Sequence, residues 1–103
     1  MPRPRKRRSC RAYDGDRVFK PRSIPMRELD TVRLELSELE AMRLCDLERC
    51  EQEEAGRRMG VSRGTIQRLL KSGRAKVLES IVETRALLIE RGESDEDLRT
   101  HPR

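Results

Sequence analysis

Arg63, Thr65, Gln67 and Arg68 fall within six consecutive residues, and each carries groups that a base edge in a nucleic-acid groove can use. An Arg guanidinium bonds guanine at two acceptors, a Gln amide pairs in the same way with adenine, and a Thr methyl can touch thymine. On the first two turns of a helix such side chains reach base edges, while later turns run out along the backbone. Ser62, just before them, has the side chain of a helix N-cap and joins the candidate base contacts. Gly64 would let a backbone come close. Arg57, Arg58, Lys71, Arg74 and Lys76 flank this group and suit phosphate, which fixes register and contributes affinity without reading sequence.

The bland alternative is that these cations only solvate a helix. Against it stands their distribution: residues 55 to 78 hold seven basic residues and no acid, in a chain with 19 acids. Residues 1 to 22 hold nine Lys/Arg against two acids, and residues 27 to 54 hold four Arg against ten acids. Two basic blocks around an acidic middle predict one cationic face and a polyanionic partner, double-stranded DNA being the natural one. The acids of 28 to 54 are expected to form a solvated face.

To present those side chains, the stretch QEEAGRRMGVSRGTIQRLLK (52 to 71) must fold as two short helices around a turn. Gly60 is the expected hinge, and Ala55, Met59, Val61, Ile66 and Leu69 fall where crossing helices bury apolar side chains against each other. Gly56 is expected where the two helices approach each other most closely, so that a larger side chain would push them apart, which justifies a residue that costs a helix interior about 1 kcal/mol relative to Ala. Ser62 caps the second helix. Gly73 leaves two possibilities, an end to that helix or one long helix through it; the apolar spacing 66, 69, 70, 77, 78, 81 favours the long helix.

Upstream, Ser37-Glu38-Leu39-Glu40 reads as a capping box with Ser37 at the cap, opening a helix to about Arg49 whose inner face carries Leu39, Met42, Leu47 and Leu44 or Cys45. Val32 to Leu36 alternates as a half-buried strand, with Leu87-Leu88-Ile89 the best pairing candidate. Pro21 and Pro25 keep the segment before it extended, and Met26 to Thr31 suits a turn. The expected fold is mainly α, a helix-turn-helix with a short two-stranded β element. The expected layout is a basic arm over 1–17, the helix-turn-helix domain over 18–90 and a charged tail over 91–103. In the arm, Arg3, Arg5, Lys6, Arg7 and Arg8 suit a minor groove or a phosphate track, either inserted or as a loose tether.

Composition sets limits. With 34% apolar residues and Tyr13 and Phe19 as the only aromatics, one small core is expected and a large substrate cavity is not. No apolar run is long enough for a membrane span or a secretory signal, so a cytoplasmic protein is expected. Cys10, Cys45 and Cys50 are odd in number and irregular in spacing, which fits a reducing compartment. Neither they nor His101 form a zinc spacing, Cys45 suits a small core position, and Cys50 leaves a redox role open. No nucleophile, base and pocket come together, so no enzyme and no cofactor are expected.

The segments MPRPRK at the start, FKP at 19 to 21, LELSELEAMRLCDLE at 34 to 48, QEEAGRRMGVSRGTIQRLL at 52 to 70 and RAKV at 74 to 77 together resemble uncharacterised protein family 0251, also called domain-of-unknown-function family 134. Its members are small bacterial and archaeal proteins predicted to bind DNA, and the resemblance covers most of the chain. The second half is also similar to the promoter-reading fourth region of bacterial sigma factors, with a winged-helix-like DNA-binding fold. That similarity implies DNA contact through Arg63 to Arg68. It also implies a rival reading, in which the acidic helix Ser37 to Arg49 docks a transcription-machinery protein and DNA contact is secondary; RNA binding is a third. Gly73 departs from the better helix former of relatives, and Cys10 stands where some relatives carry more cysteine. A homodimer would suit a palindromic operator, but no leucine zipper or clear apolar patch is visible in the sequence.

Overall fold

A computed structural model describes residues 17–90; the arm cations Arg3, Arg5, Lys6, Arg7 and Arg8, Cys10, and the tail with His101 lie outside the described residues. The elements run β1 (Arg17–Phe19), a 3-10 turn (Met26–Glu28), β2 (Thr31–Glu35), α1 (Leu36–Met42), a π-helical turn (Arg43–Leu47), α2 (Gln52–Met59), α3 (Arg63–Val82) and β3 (Ala86–Glu90). The fold is mostly helical with one small sheet, compatible with a helix-turn-helix or winged-helix-like arrangement.

The sheet has the order β1-β3-β2. β2 pairs with β3 in parallel, Val32 opposite Leu87 and Leu34 opposite Ile89, which joins the two segments matched by their apolar pattern. A third strand was not expected: β1 pairs antiparallel with β3 on its other side, Phe19 opposite Leu87. Three residues are too few to show a period. The alternation of β2 buries Val32 and Leu34 and exposes Thr31 and Arg33, whereas the central β3 reads Ala-Leu-Leu-Ile and buries Ala86, Leu87 and Ile89.

Apolar side chains gather in two places. Val32, Leu34, Leu87 and Ile89 pack beneath the sheet with Leu36, Leu39 and Val77. Ala41, Leu44, Ala55, Met59, Ile66, Leu69 and Leu70 form the interhelical cluster, with Met42, Cys45, Cys50 and Val61 against it. This second cluster contains every residue expected to seal the helix pair.

Several local expectations are corrected. Ser37 does not cap α1. The N-cap is Glu35, whose backbone N–H donates to the Glu38 carboxylate at 2.9 Å, and Ser37 is buried inside the first turn. The capping box is thus shifted two residues upstream, because β2 leads into the helix without a loop. Leu47 is 77% exposed rather than on the inner face. The chain widens after Met42, with Glu48 N–H donating to Arg43 O, and such a π turn rotates later residues out of the α register. The helical segment stops at Leu47, and Arg49 takes a left-handed φ of 64°.

Glu38 and Glu40 are both buried, so the acids of 28 to 54 do not form one solvated face. Both acids bind cations instead: Glu38 takes Lys76 and the Ser72 hydroxyl from α3, and Glu40 takes Arg43.

α3 is one continuous helix of 20 residues that passes through Gly73. Gly73 is buried, and a Cβ there would lie 2.7 Å from Met42 Sδ and 3.2 Å from Glu38 Cβ. The glycine therefore brings α3 against α1, a contact between distant segments that local helix propensity does not reveal.

Candidate nucleic-acid interface

Gly60 ends α2 with φ 73° and ψ 33°, the left-handed conformation in which glycine avoids the Cβ penalty. Its N–H bonds Arg57 O, and Val61 N–H bonds Gly56 O at 2.9 Å, which closes the turn. A Cβ on Gly56 would sit 2.7 Å from Val61 O, so the close approach is between α2 and the turn backbone rather than between the two helices as their spacing suggests. Ser62 then leaves the turn extended, and its Oγ accepts the Thr65 N–H at 3.1 Å. Ile66 and Leu69 face inward, which fixes the rotation of α3 and leaves Arg63, Gly64, Gln67, Arg68, Lys71 and Arg74 exposed.

The side chains on that face are not equivalent. Ser62 Oγ lies 3.0 Å from Thr65 Oγ1, and Arg68 Nη2 donates to the same Thr65 oxygen at 3.1 Å. Ser62, Thr65 and Arg68 thus form a linked set that orients the Arg68 guanidinium. Arg63, Gln67 and Lys71, about one helical turn apart, make no side-chain hydrogen bond or ion pair with the described residues. At Gly64 an added Cβ would meet only ordinary contacts, 3.8 Å to Arg68 and 3.9 Å to Ser62. No neighbour within the domain requires a glycine there. The first turn of α3 holds no acid, so the positive end of the helix dipole is uncompensated by one.

The flanking cations are placed differently from their spacing in the chain. Arg57 bonds Glu54 at 2.5 Å, and Arg58 bonds Glu54 at 3.0 Å and Glu48 at 3.3 Å. Glu48 also pairs with Arg43, which grips Glu40 through two nitrogens, so an ion-pair chain runs from α1 through the π turn to the end of α2. Arg74 grips Asp46 at 2.7 and 3.2 Å. The acid-free run in sequence is therefore lined with acids from the preceding segment. Hydrogen bonds from Arg57 and Arg58 hold the Glu54 carboxyl below the usual carboxylate range, and donating to Glu54 and to Asp46 raises Arg58 and Arg74 in turn. Arg57 and Arg58 are exposed and Glu54 is partly so, and ion pairs in such a setting are weak.

Lys76 is placed most differently. Its Nζ bonds buried Glu38 at 2.9 Å with only 32% of the side chain exposed. Geometry makes it a tie between α1 and α3, and Lys71 is the more available cation of that helix. The acids Glu38, Asp46, Glu48 and Glu54 were the part of the site missed in sequence. The i, i+3 and i, i+4 spacings of Glu54 to Arg57 and Arg58 are the local signals that could have revealed those pairs.

Cys45 and Cys50 carry free thiols, and burial, followed by the charges of Asp46 and Cys50, pushes the Cys45 thiol up while Arg74 opposes it. Among the described residues no helix is long and apolar enough to cross a membrane.

The family model described as "Protein of unknown function DUF134" matches residues 1–97, and the chain belongs to that family. A "UPF0251 protein" of Moorella thermoacetica is 47% identical over 92 residues, covering 89% of this chain and 62% of the relative; the chain thus spans less than two thirds of that protein. A second, from Thermoanaerobacter pseudethanolicus, is 46% identical over 98% of this chain and 88% of its own length. A third, from Aeromonas salmonicida, is 40% identical over 92% and 93%. No solved structure matches.

Proposed function

We propose that the protein binds double-stranded DNA through α2 and α3 and acts in transcription regulation, without a catalytic role or cofactor, in the cytoplasm. The observation that carries this reading is the N-terminal face of α3, where Arg63, Gln67 and Lys71 stand exposed and without side-chain partners among the described residues, beside an exposed, unfilled Gly64. In it Arg63 and Gln67 read base edges, Arg68 reads from the position Thr65 gives it, and Ser62 mainly caps. Lys71 and the N-terminal amides of α3 hold phosphate. Arg57, Arg58 and Arg74 join them by exchanging a carboxylate for a phosphate, and the arm cations would add to the same electrostatic attraction.

Docking of a transcription partner on the acidic segment draws less support, because Glu38 and Glu40 are turned inward and bonded. The test is a mobility-shift series at rising salt on random and selected duplexes. Arg63→Ala is expected to relax sequence preference, and Lys71→Ala to weaken all duplexes alike and reduce the salt slope by about one. Failure to retain any duplex at low salt defeats the reading, and retention of structured RNA alone replaces it with RNA binding.

A further inference from the structure

The exposed face of α3 changes character along its length. From Arg63 to Arg74 it is polar and cationic; from Leu78 it is apolar, with Leu78, Ile81 and Val82 at the i, i+3, i+4 spacing of one helical face. Leu78 is 58% exposed, Ile81 69% and Val82 66%, and Phe19 of the edge strand β1 is 59% exposed nearby. Phe19 and Ile81 stand on the two walls of an open groove of about 530 Å³, floored by Val77 and Leu87. Exposed large apolar side chains clustered around a groove are the kind of surface that a partner covers.

We propose that this patch is the contact of a two-fold dimer, its occupant a second copy of the chain. Each copy offers both projecting side chains, Leu78 and Val82, and a groove of a size to receive them, which is what a self-complementary contact requires. The charges around it balance, Lys20 and Arg85 against Glu79 and Glu83, with Arg85 paired to Glu79, so an identical surface meets no net repulsion. The chain outside 17–90 is poorly suited to cover the patch: its large apolar side chains are Met1, Tyr13 and Leu98, and Leu98 follows three acids in the four residues before it.

The spacing of two such helices supplies a second argument, the one step that rests on the DNA reading. Thr65 and Ile81 are separated by about 24 Å along α3 at 1.5 Å per residue. Copies joined near Ile81 can hold their N-terminal ends up to about 48 Å apart, a reach that includes the ~34 Å between successive major-groove half-sites on one side of a duplex. At a crossing near 90° the two ends would match that spacing, given an interaxial distance of about 9 Å.

The test is sedimentation equilibrium of the full chain without DNA, up to about 100 µM protein. A dimer is expected, with Ile81→Glu raising its dissociation constant at least 30-fold, the factor of a hot-spot loss. Phe19→Ser is the second variant, on the other wall. Both positions are exposed, so circular dichroism and melting of the monomer should be unchanged. A monomeric wild type at the highest concentration, or dimers of undiminished affinity in both variants, overturns the proposal. The two readings fail separately: a monomer that still shifts duplex defeats the dimer alone, and a patch-dependent dimer that binds no duplex leaves the dimer standing while defeating DNA binding.

Discussion

Replacing Glu38 by Ala should cost this small domain about 3 kcal/mol, through three contacts the carboxylate makes at once. Its Oε1 accepts the Glu35 N–H and the Lys76 ammonium, both at 2.9 Å, and its Oε2 accepts the Ser72 hydroxyl at 2.6 Å. Loss of the helix-end amide contact costs about 1 kcal/mol. The Ser72 hydroxyl loses a charged acceptor but retains Leu69 O at 3.4 Å, again about 1 kcal/mol. The Lys76 contribution must be discounted, because about a third of that side chain reaches water and can resolvate there; about 1 kcal/mol remains. Glu38→Gln should lose about 1 kcal/mol, since its oxygen still accepts from Glu35 and Lys76 and its amide can donate to Ser72. Urea unfolding at constant m is the assay, and the Ala variant should melt about 12–24 °C lower. A Lys76→Met variant should lose about 1 kcal/mol in stability while leaving the salt slope of duplex binding unchanged. An Ala loss below about 1 kcal/mol, or a Gln variant as damaged as the Ala variant, would refute the assignment of Glu38 and Lys76 to the α1–α3 tie.

Other perturbations separate the turn, the ion pairs and the exposed cations. Gly60→Ala forces a Cβ into a φ of 73° and should cost about 1–2 kcal/mol in the same unfolding assay; an unchanged midpoint would mean that the turn relaxes freely. Glu54→Gln releases Arg57 and leaves Arg58 only its longer bond to Glu48, and should tighten binding to every duplex while steepening its salt dependence; a weaker complex would contradict their exchange onto phosphate. The folded pKa of Glu54 is lowered, so the stability its carboxylate contributes is present above the unfolded value and is lost as pH falls through the folded one. A carboxyl titration followed by NMR should therefore show a midpoint below the ordinary glutamate range, and one at or above it would remove the paired state. Cys45, whose thiol is pushed up by burial, should alkylate more slowly at neutral pH than an unfolded cysteine, and equal rates would place it outside the packed cluster.

The helix pair was legible because its information is local. Gly60, the Ser62 cap and the apolar positions 55, 59, 66 and 69 act within a few residues of one another, and the structure places each as its type requires. The β2–β3 pairing was legible for a related reason: two short apolar segments needed partners and each was the other's best match. What escaped depended on contacts far apart in sequence. Glu38 looks like one more solvated acid until α3 lies across it with Ser72 and Lys76, 34 and 38 residues away. Leu47 fits an inner stripe until the π turn shifts its phase, and nothing in the local pattern forces that widening. Leu78 and Ile81 continue an apolar period that looks like core, yet both stay more than half exposed. Charge was legible in sign and only partly in availability, since Asp46, Glu48 and Glu54 reach cations that sequence order keeps apart or hides.

The central claim is that the exposed N-terminal face of α3 reads DNA, and selection of bound sequences from a random duplex pool tests it most directly. The full chain should enrich a defined motif, and Arg63→Ala and Gln67→Ala should each blur different positions of it while leaving the rest intact. A pool that stays random at low and moderate salt, or variants that enrich the same unblurred motif as the wild type, would contradict the account.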